Sequence, residues 1–160
     1  MVRIRRRSRV ESLPGQSLES VRGSVDYCER LFQLCDQRLS CYISPMGPFI
    51  DPGSRGFEQP ERFGYRLFAR TLEEHRQLLV QPTWERILNY ETKWMTRREL
   101  VDATYDAAER LNALKVQYGR LSPHRGRDVA SRIAAARSLR DRLEALLAQG
   151  GDPGDGPALR

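Results

Sequence analysis

Three cysteines and two histidines are the side chains best suited by type to metal or nucleophilic chemistry. Cys28, Cys35 and Cys41 are spaced by seven and six residues. Zinc ribbons and iron–sulfur runs need close pairs, so that one loop can wrap the metal. An odd count gives no even disulfide framework. Cys28 and Cys35 fall one heptad apart in a helical pattern and are expected to be buried helix cysteines; reactive thiols are the alternative. His75 and His124 are far apart and lack a neighbouring ligand pattern, so His75 reads as packing or surface. Glu73 and Glu74 with Arg70 and Arg76 read as a solvated helix face. The stretch "GPFIDPGSRG" lacks the glycine and lysine arrangement that cradles phosphate. Trp84, Tyr90 and Trp94 could stack on bases, yet their setting beside Ile87 and Leu88 favours core packing.

The elements that would position these residues are mostly helical. Ser17 is a candidate N-cap for a helix from Leu18 to about Gln37, with Val21, Val25, Cys28, Phe32 and Cys35 on one stripe. A β-prone run, Leu39 to Ser44, then enters a segment broken by Pro45, Pro48, Pro52 and Pro60, read as an ordered loop. Phe49, Ile50, Phe57 and Phe63 should tuck that loop against a neighbouring surface. From Tyr65 to about Val80 the pattern is helical, with Leu67, Phe68, Leu72, His75 and Leu79 available to one face. Pro82 ends it or starts "TWERILNY". Thr96 and Glu99 form a capping box that opens a helix with a seam of Leu100, Thr104, Ala107, Leu111, Leu114 and Tyr118. Gly119 stops it. A last helix, Gly126 to Gln149, shows Val129, Ile133, Ala136, Leu139, Leu143 and Leu146 on one side and should pair antiparallel with its predecessor.

Charge is unevenly distributed. The formal net charge is +6 over 160 residues, and Arg3, Arg5, Arg6, Arg7 and Arg9 supply five of those units. A nucleic-acid-binding domain spreads its cations over a face so that several phosphates are neutralised together. Here the cluster is terminal and reads as a solvated, disordered end; an arm for nucleic acid or anionic lipid and a mitochondrial-type transit peptide stay open beside it. Neither a nucleic-acid nor a membrane partner is expected. Mean hydropathy is -0.62, and no run of about 18 apolar residues could span a bilayer, so a cytoplasmic chain is expected.

The stretch "LPGQSLESVRGSVDYCERL", Leu13 to Leu31, resembles a segment of radical S-adenosylmethionine enzymes, closest to those with an N-terminal cobalamin-binding domain. There a barrel strand ends in a Gly-Leu-Pro-Gly-Gln turn and feeds the next helix. The likeness continues in "ISPMGPFIDPGSRGFEQPERFGYRLFARTLEEHRQLL" and "PTWERILNYETKWMTRRELVDATYDAAERLNALKVQYG", in the same order, over about residues 13 to 119. Where the family has an apolar strand and a glycine before the turn, this chain has "RRRSRVES", with Ser12 in the glycine's place.

The resemblance implies a mainly α fold with minor β: a remnant of a (β/α) barrel, with one or two short strands, followed by a helical C-terminal extension. Its divisions would be a disordered Arg-rich arm at 1–10, a partial barrel at 11–60, the helical extension at 61–149 and a disordered tail at 150–160. Chemistry in such barrels sits at the C-terminal strand ends. The resemblance therefore points to Gly15 and Gln16 after one strand, and to Ser44, Pro45, Asp51 and Gly53 after the next, as cofactor-binding candidates. The family uses a [4Fe–4S] cluster, S-adenosylmethionine and cobalamin. Its CxxxCxxC motif is not in this sequence, so no cofactor, metal or catalytic residue is expected of this chain alone. Burying the arginines of a native strand would cost more than a domain's net stability, so the first ten or so residues are expected to lie outside any strand. The expected identity is a C-terminal fragment of such an enzyme, inactive alone. Its expected partner is the N-terminal part of that enzyme, should the enzyme be split. The other readings are the complementing subunit of a split enzyme, and a helical adaptor or nucleic-acid-binding module using the basic arm.

Overall fold

A computed structural model describes residues 6–11, 14–35, 39–45 and 49–149. The described residues are mainly helical, with four short strands among them in two separate two-stranded sheets. The first sheet pairs β1 (Arg6–Glu11) with β2 (Ser40–Pro45) in parallel, Arg6 opposite Ser40 and Glu11 opposite Pro45. A parallel pair needs a crossover, and α1 (Leu18–Leu34) supplies it.

The strand β1 corrects the expectation for the basic arm, which had no strand in it. That expectation assumed a barrel wall, covered on both faces. In a two-stranded sheet β1 keeps one edge without a strand partner among the described residues, and an edge strand need not be apolar. Residues 1–5 and the expected tail at 150–160 lie outside the described residues.

Helix α1 starts where the sequence indicates. Ser17 accepts from the Ser20 backbone N–H, and the Ser20 hydroxyl accepts from that of Ser17 in return. Val21, Val25, Cys28 and Phe32 are buried on one stripe, each of the larger ones contributing roughly 1.5–3 kcal/mol. The helix ends before the expected Gln37. Cys35 takes an extended backbone and is exposed, so only Cys28 of the expected helical pair is buried. Arg120, beyond the far end of the chain's longest buried helix, closes this terminus. Its guanidinium donates to the carbonyls of Phe32, Cys35 and Leu39 at 3.0, 2.7 and 2.7 Å and lies over the Phe32 ring. One side chain thus ties the exit of α1 to the entry of β2.

After β2 the proline-rich segment contains two single-turn helices, α2 (Arg55–Glu58) and α3 (Pro60–Phe63). Ser54 caps the first, and Pro60 sits at the first position of the second, where its missing N–H costs nothing. Ile50 and Phe57 are buried and Phe63 is half-buried, as the apolar content of that loop demands.

The helix expected from Tyr65 to Val80 is instead a strand followed by a shorter helix. Strand β3 (Tyr65–Leu67) pairs antiparallel with β4 (Tyr90–Thr92), and α4 (Leu72–Leu79) begins at a Thr71–Glu74 capping box. Gly64, at φ 71°, ends α3 just before β3, and a Cβ there would come within 2.7 Å of the Trp94 ring. Leu72 and Leu79, expected to face inward, are 88% and 57% exposed, while His75 is buried. The single turn α5 (Trp84–Ile87) leads into β4.

Helix α6 (Arg97–Gln117) opens at the Thr96–Glu99 capping box, buries Leu100, Thr104, Ala107, Leu111 and Leu114, and stops before Gly119, at φ 65°. It packs on α1, β2 and α7 (Pro123–Ala148). One apolar core holds Val21, Phe32 and Cys41 together with Tyr90, Val101 and Leu111, so it crosses the expected boundary at residue 60.

Helix α7 lies antiparallel to α6, but the seam differs from the expected apolar one. Leu139 and Leu146 are exposed, and the buried residues are Gly126 and Arg140. Gly126 permits close approach: a Cβ there would sit 2.3 Å from Val116 Cγ2, and its carbonyl accepts from Asn112 Nδ2 at 2.9 Å. Further along, charges hold the pair. Arg140 bridges Asp102 of α6 and Asp141 of its own helix, Arg137 bridges Asp106 of α6, and Glu144 ties α7 instead to Arg86 of α5 and the Thr83 hydroxyl.

Candidate functional site

Parallel pairing brings the first four candidate positions to one end of the β1–β2 sheet. Val10 lies opposite Ser44 and Glu11 opposite Pro45, so the turn leaving β1 and the last residues of β2 emerge side by side. Gly15, at φ 79°, is exposed in that turn, and Gln16 follows it, half-buried. Nothing lies within 4 Å of where a Gly15 Cβ would stand. The left-handed backbone therefore accounts for this glycine, and no close approach is needed to explain it. Ser17 immediately begins the cap of α1, where the backbone N–H groups of Ser17 and Ser20 are engaged by the Ser20 and Ser17 hydroxyls.

Asp51 and Gly53 belong to a second turn, which the Ser54 N–H closes by donating to the Asp51 carbonyl at 3.1 Å. Both are exposed. Gly53, at φ 81°, donates its N–H to Glu58 Oε1 at 3.2 Å and has open space around its missing Cβ. Its role in the fold is to let the chain turn into α2.

The cysteines do not fit a cluster. Cys28 is buried on α1, Cys41 is buried on β2, and Cys35 is exposed beyond the end of α1. No group of three or more His, Cys, Asp or Glu side chains suited to a metal ion occurs among the described residues. Glu73 and Arg76 form the exposed ion pair expected of a solvated face. Of the three aromatics read as core, Tyr90 is fully buried and Trp84 half-buried, but Trp94 is exposed beneath Lys93.

A polar network not evident in the sequence anchors the loop that follows β2. His75 Nδ1 lies 2.7 Å from the Thr71 carbonyl, and Nε2 lies 2.9 Å from Asn89 Nδ2. A carbonyl only accepts, so Nδ1 carries the proton and Nε2 accepts from Asn89. Asn89 Oδ1 accepts the Ile50 N–H at 2.9 Å, and Asn89 is wholly buried. Phe49 meets the His75 ring edge-on and Phe57 stacks on it. Every polar atom of the imidazole is thereby used in holding Phe49 and Ile50 to α4 and β4, which is positioning and not proton transfer. The asparagine fourteen residues beyond the histidine gave no pattern by which to pair them.

Comparison with known protein families, with curated proteins and with solved structures found no match to the chain.

Proposed function

We propose that this chain supplies the last strand–helix–strand unit and the helical C-terminal extension of a cobalamin-type radical S-adenosylmethionine enzyme. The observation that carries the reading is the parallel β1–α1–β2 crossover. A (β/α) barrel is built of such units, and the "LPGQ" turn follows β1 at the end where barrel chemistry gathers. Gly15, Gln16, Ser44 and Pro45 share that sheet end; Asp51 and Gly53 lie in the loop beyond it. In this reading they would line the cofactor or substrate side of a barrel completed by other strands.

The chain alone is inactive in this reading, because Cys28, Cys35 and Cys41 cannot form the CxxxCxxC loop that holds a [4Fe–4S] cluster. The cluster would come from a polypeptide region carrying that motif, either the N-terminal part of the same enzyme or a separate subunit. Anaerobic reconstitution of the purified chain with iron and sulfide, followed by assay for 5′-deoxyadenosine, tests this. The expected result is neither cluster absorbance nor S-adenosylmethionine cleavage, with cleavage on co-expression with a CxxxCxxC-bearing polypeptide that co-purifies. A cluster and turnover by the chain alone would overturn the reading. Nucleic-acid binding that is lost on deleting residues 1–9 and falls steeply with salt would favour the adaptor alternative instead.

A further inference from the structure

A cleft of about 300 Å³ opens where β2, α6 and the first turns of α7 meet. Its walls are largely apolar, with Ile43, Leu111, Leu121, Val129 and Ile133 among them. Lys115 of α6 is the cation among the lining residues. It is half-buried, and its ammonium has no hydrogen-bond acceptor or carboxylate partner among the described residues. Burial pushes its pKa below the usual lysine range, against the pull of the nearby Cys41 and Cys28 thiols. The smaller cleft between α1 and α6 makes the contrast. There Arg110 pairs with Asp26 and Asp106 with Arg137, and the remaining charge, Arg22, is exposed to water.

A half-buried ammonium with no protein acceptor is only partly hydrated, and a bound anion offers it a charge-assisted hydrogen bond. The apolar walls exclude a simple inorganic ion as the best occupant, since most of the cleft would remain unfilled. We infer that this cleft binds a small organic monoanion with an apolar body, a medium-chain carboxylate, its carboxylate on Lys115 and its chain along Ile43, Val129 and Ile133. A chain of roughly six to eight carbons suits a pocket at the small end of the usual ligand range. This site is independent of the barrel reading, because it uses neither the "LPGQ" turn nor the sheet end.

The test is calorimetric titration of the full chain with sodium octanoate below its micelle concentration, at constant ionic strength, with octan-1-ol as the uncharged comparison. Saturable binding of one octanoate per chain is expected. Lys115→Met, which keeps the stem without the charge, should weaken octanoate by about tenfold or more and leave octan-1-ol unchanged. Backbone amide shifts in the wild-type chain provide a second reading that needs no variant, and they should centre on Tyr42, Ile43, Leu121, Val129 and Ile133. Absence of saturable binding, a smaller loss in a folded Lys115→Met chain, or shifts centred elsewhere would overturn the inference.

Discussion

Asn89 is the residue on which most of the loop after β2 depends. It connects the Ile50 backbone to His75 from a fully buried position. Truncation leaves a buried N–H and a buried ring nitrogen without partners, and each orphaned group costs about 1–3 kcal/mol. Asn89→Ala is therefore expected to lower stability by about 2 kcal/mol or more in chemical denaturation, whereas Asn112→Ala, which frees one carbonyl, should cost less. Glu99 works through a cap. It accepts the Thr96 backbone N–H and hydroxyl, which hold its pKa below the usual carboxylate range. A depressed folded value means that the stabilisation is present above the ordinary glutamate range and is lost as pH falls through the folded value. The stability gap between wild type and Glu99→Gln should thus be open at pH 7 and close on acidification. A gap independent of pH would contradict this assignment. The capping boxes at Ser17, Thr71 and Thr96 all lie within four residues of chain; Thr71–Glu74 has the same spacing as Thr96–Glu99, but reading one helix from Tyr65 to Val80 passes over it. The Asn89 network joins residues 39 apart in sequence, and no local spacing encodes it.

At the scale of elements, apolar periodicity reads α1 and α6 correctly because each buries one continuous stripe. It misreads α7, where the stripe of leucines stays half in water and the contact to α6 is made by Gly126, Arg137 and Arg140. A buried arginine among carboxylates is invisible to hydrophobic patterning. The same cluster contains a misfit. Burial, then the negative charge of Glu144, raise the pKa of Glu85 above the ordinary carboxylate range, outweighing the nearby Arg98 and Arg140. Its Oε2 has no hydrogen bond among the described residues, with Arg140 3.8 Å away. A raised carboxylate value means that ionisation opposes folding: stability falls as pH rises from the ordinary glutamate range through the raised one. Arg140 retains Asp102 and Asp141 as partners. Glu85→Gln should therefore leave the melting temperature at pH 7 unchanged or higher, and a marked fall would show that Glu85 is needed to pair Arg140. The region from Tyr65 to Val80 misled for another reason: three strand residues cannot be told from a helical turn until their partner, 25 residues away, is known.

For the whole molecule, apolar periodicity indicates a mainly helical chain, and no described helix is long and apolar enough to cross a membrane. The sheet end that groups Gly15, Gln16, Ser44 and Pro45 follows from the parallel register, which an arginine-rich strand concealed. Hydrophobicity is a poor guide to β1 because an edge strand need not be apolar. The "LPGQ" turn that seemed to follow nothing does follow a strand, and that strand pairs as a βα repeat requires. Whether the repeat belongs to a radical S-adenosylmethionine barrel is tested most directly by sequencing the DNA upstream of this reading frame and translating it in all frames, together with its neighbouring genes. The account predicts a CxxxCxxC motif and a cobalamin-binding region encoded there. Their absence from every upstream frame and every adjacent gene would contradict it.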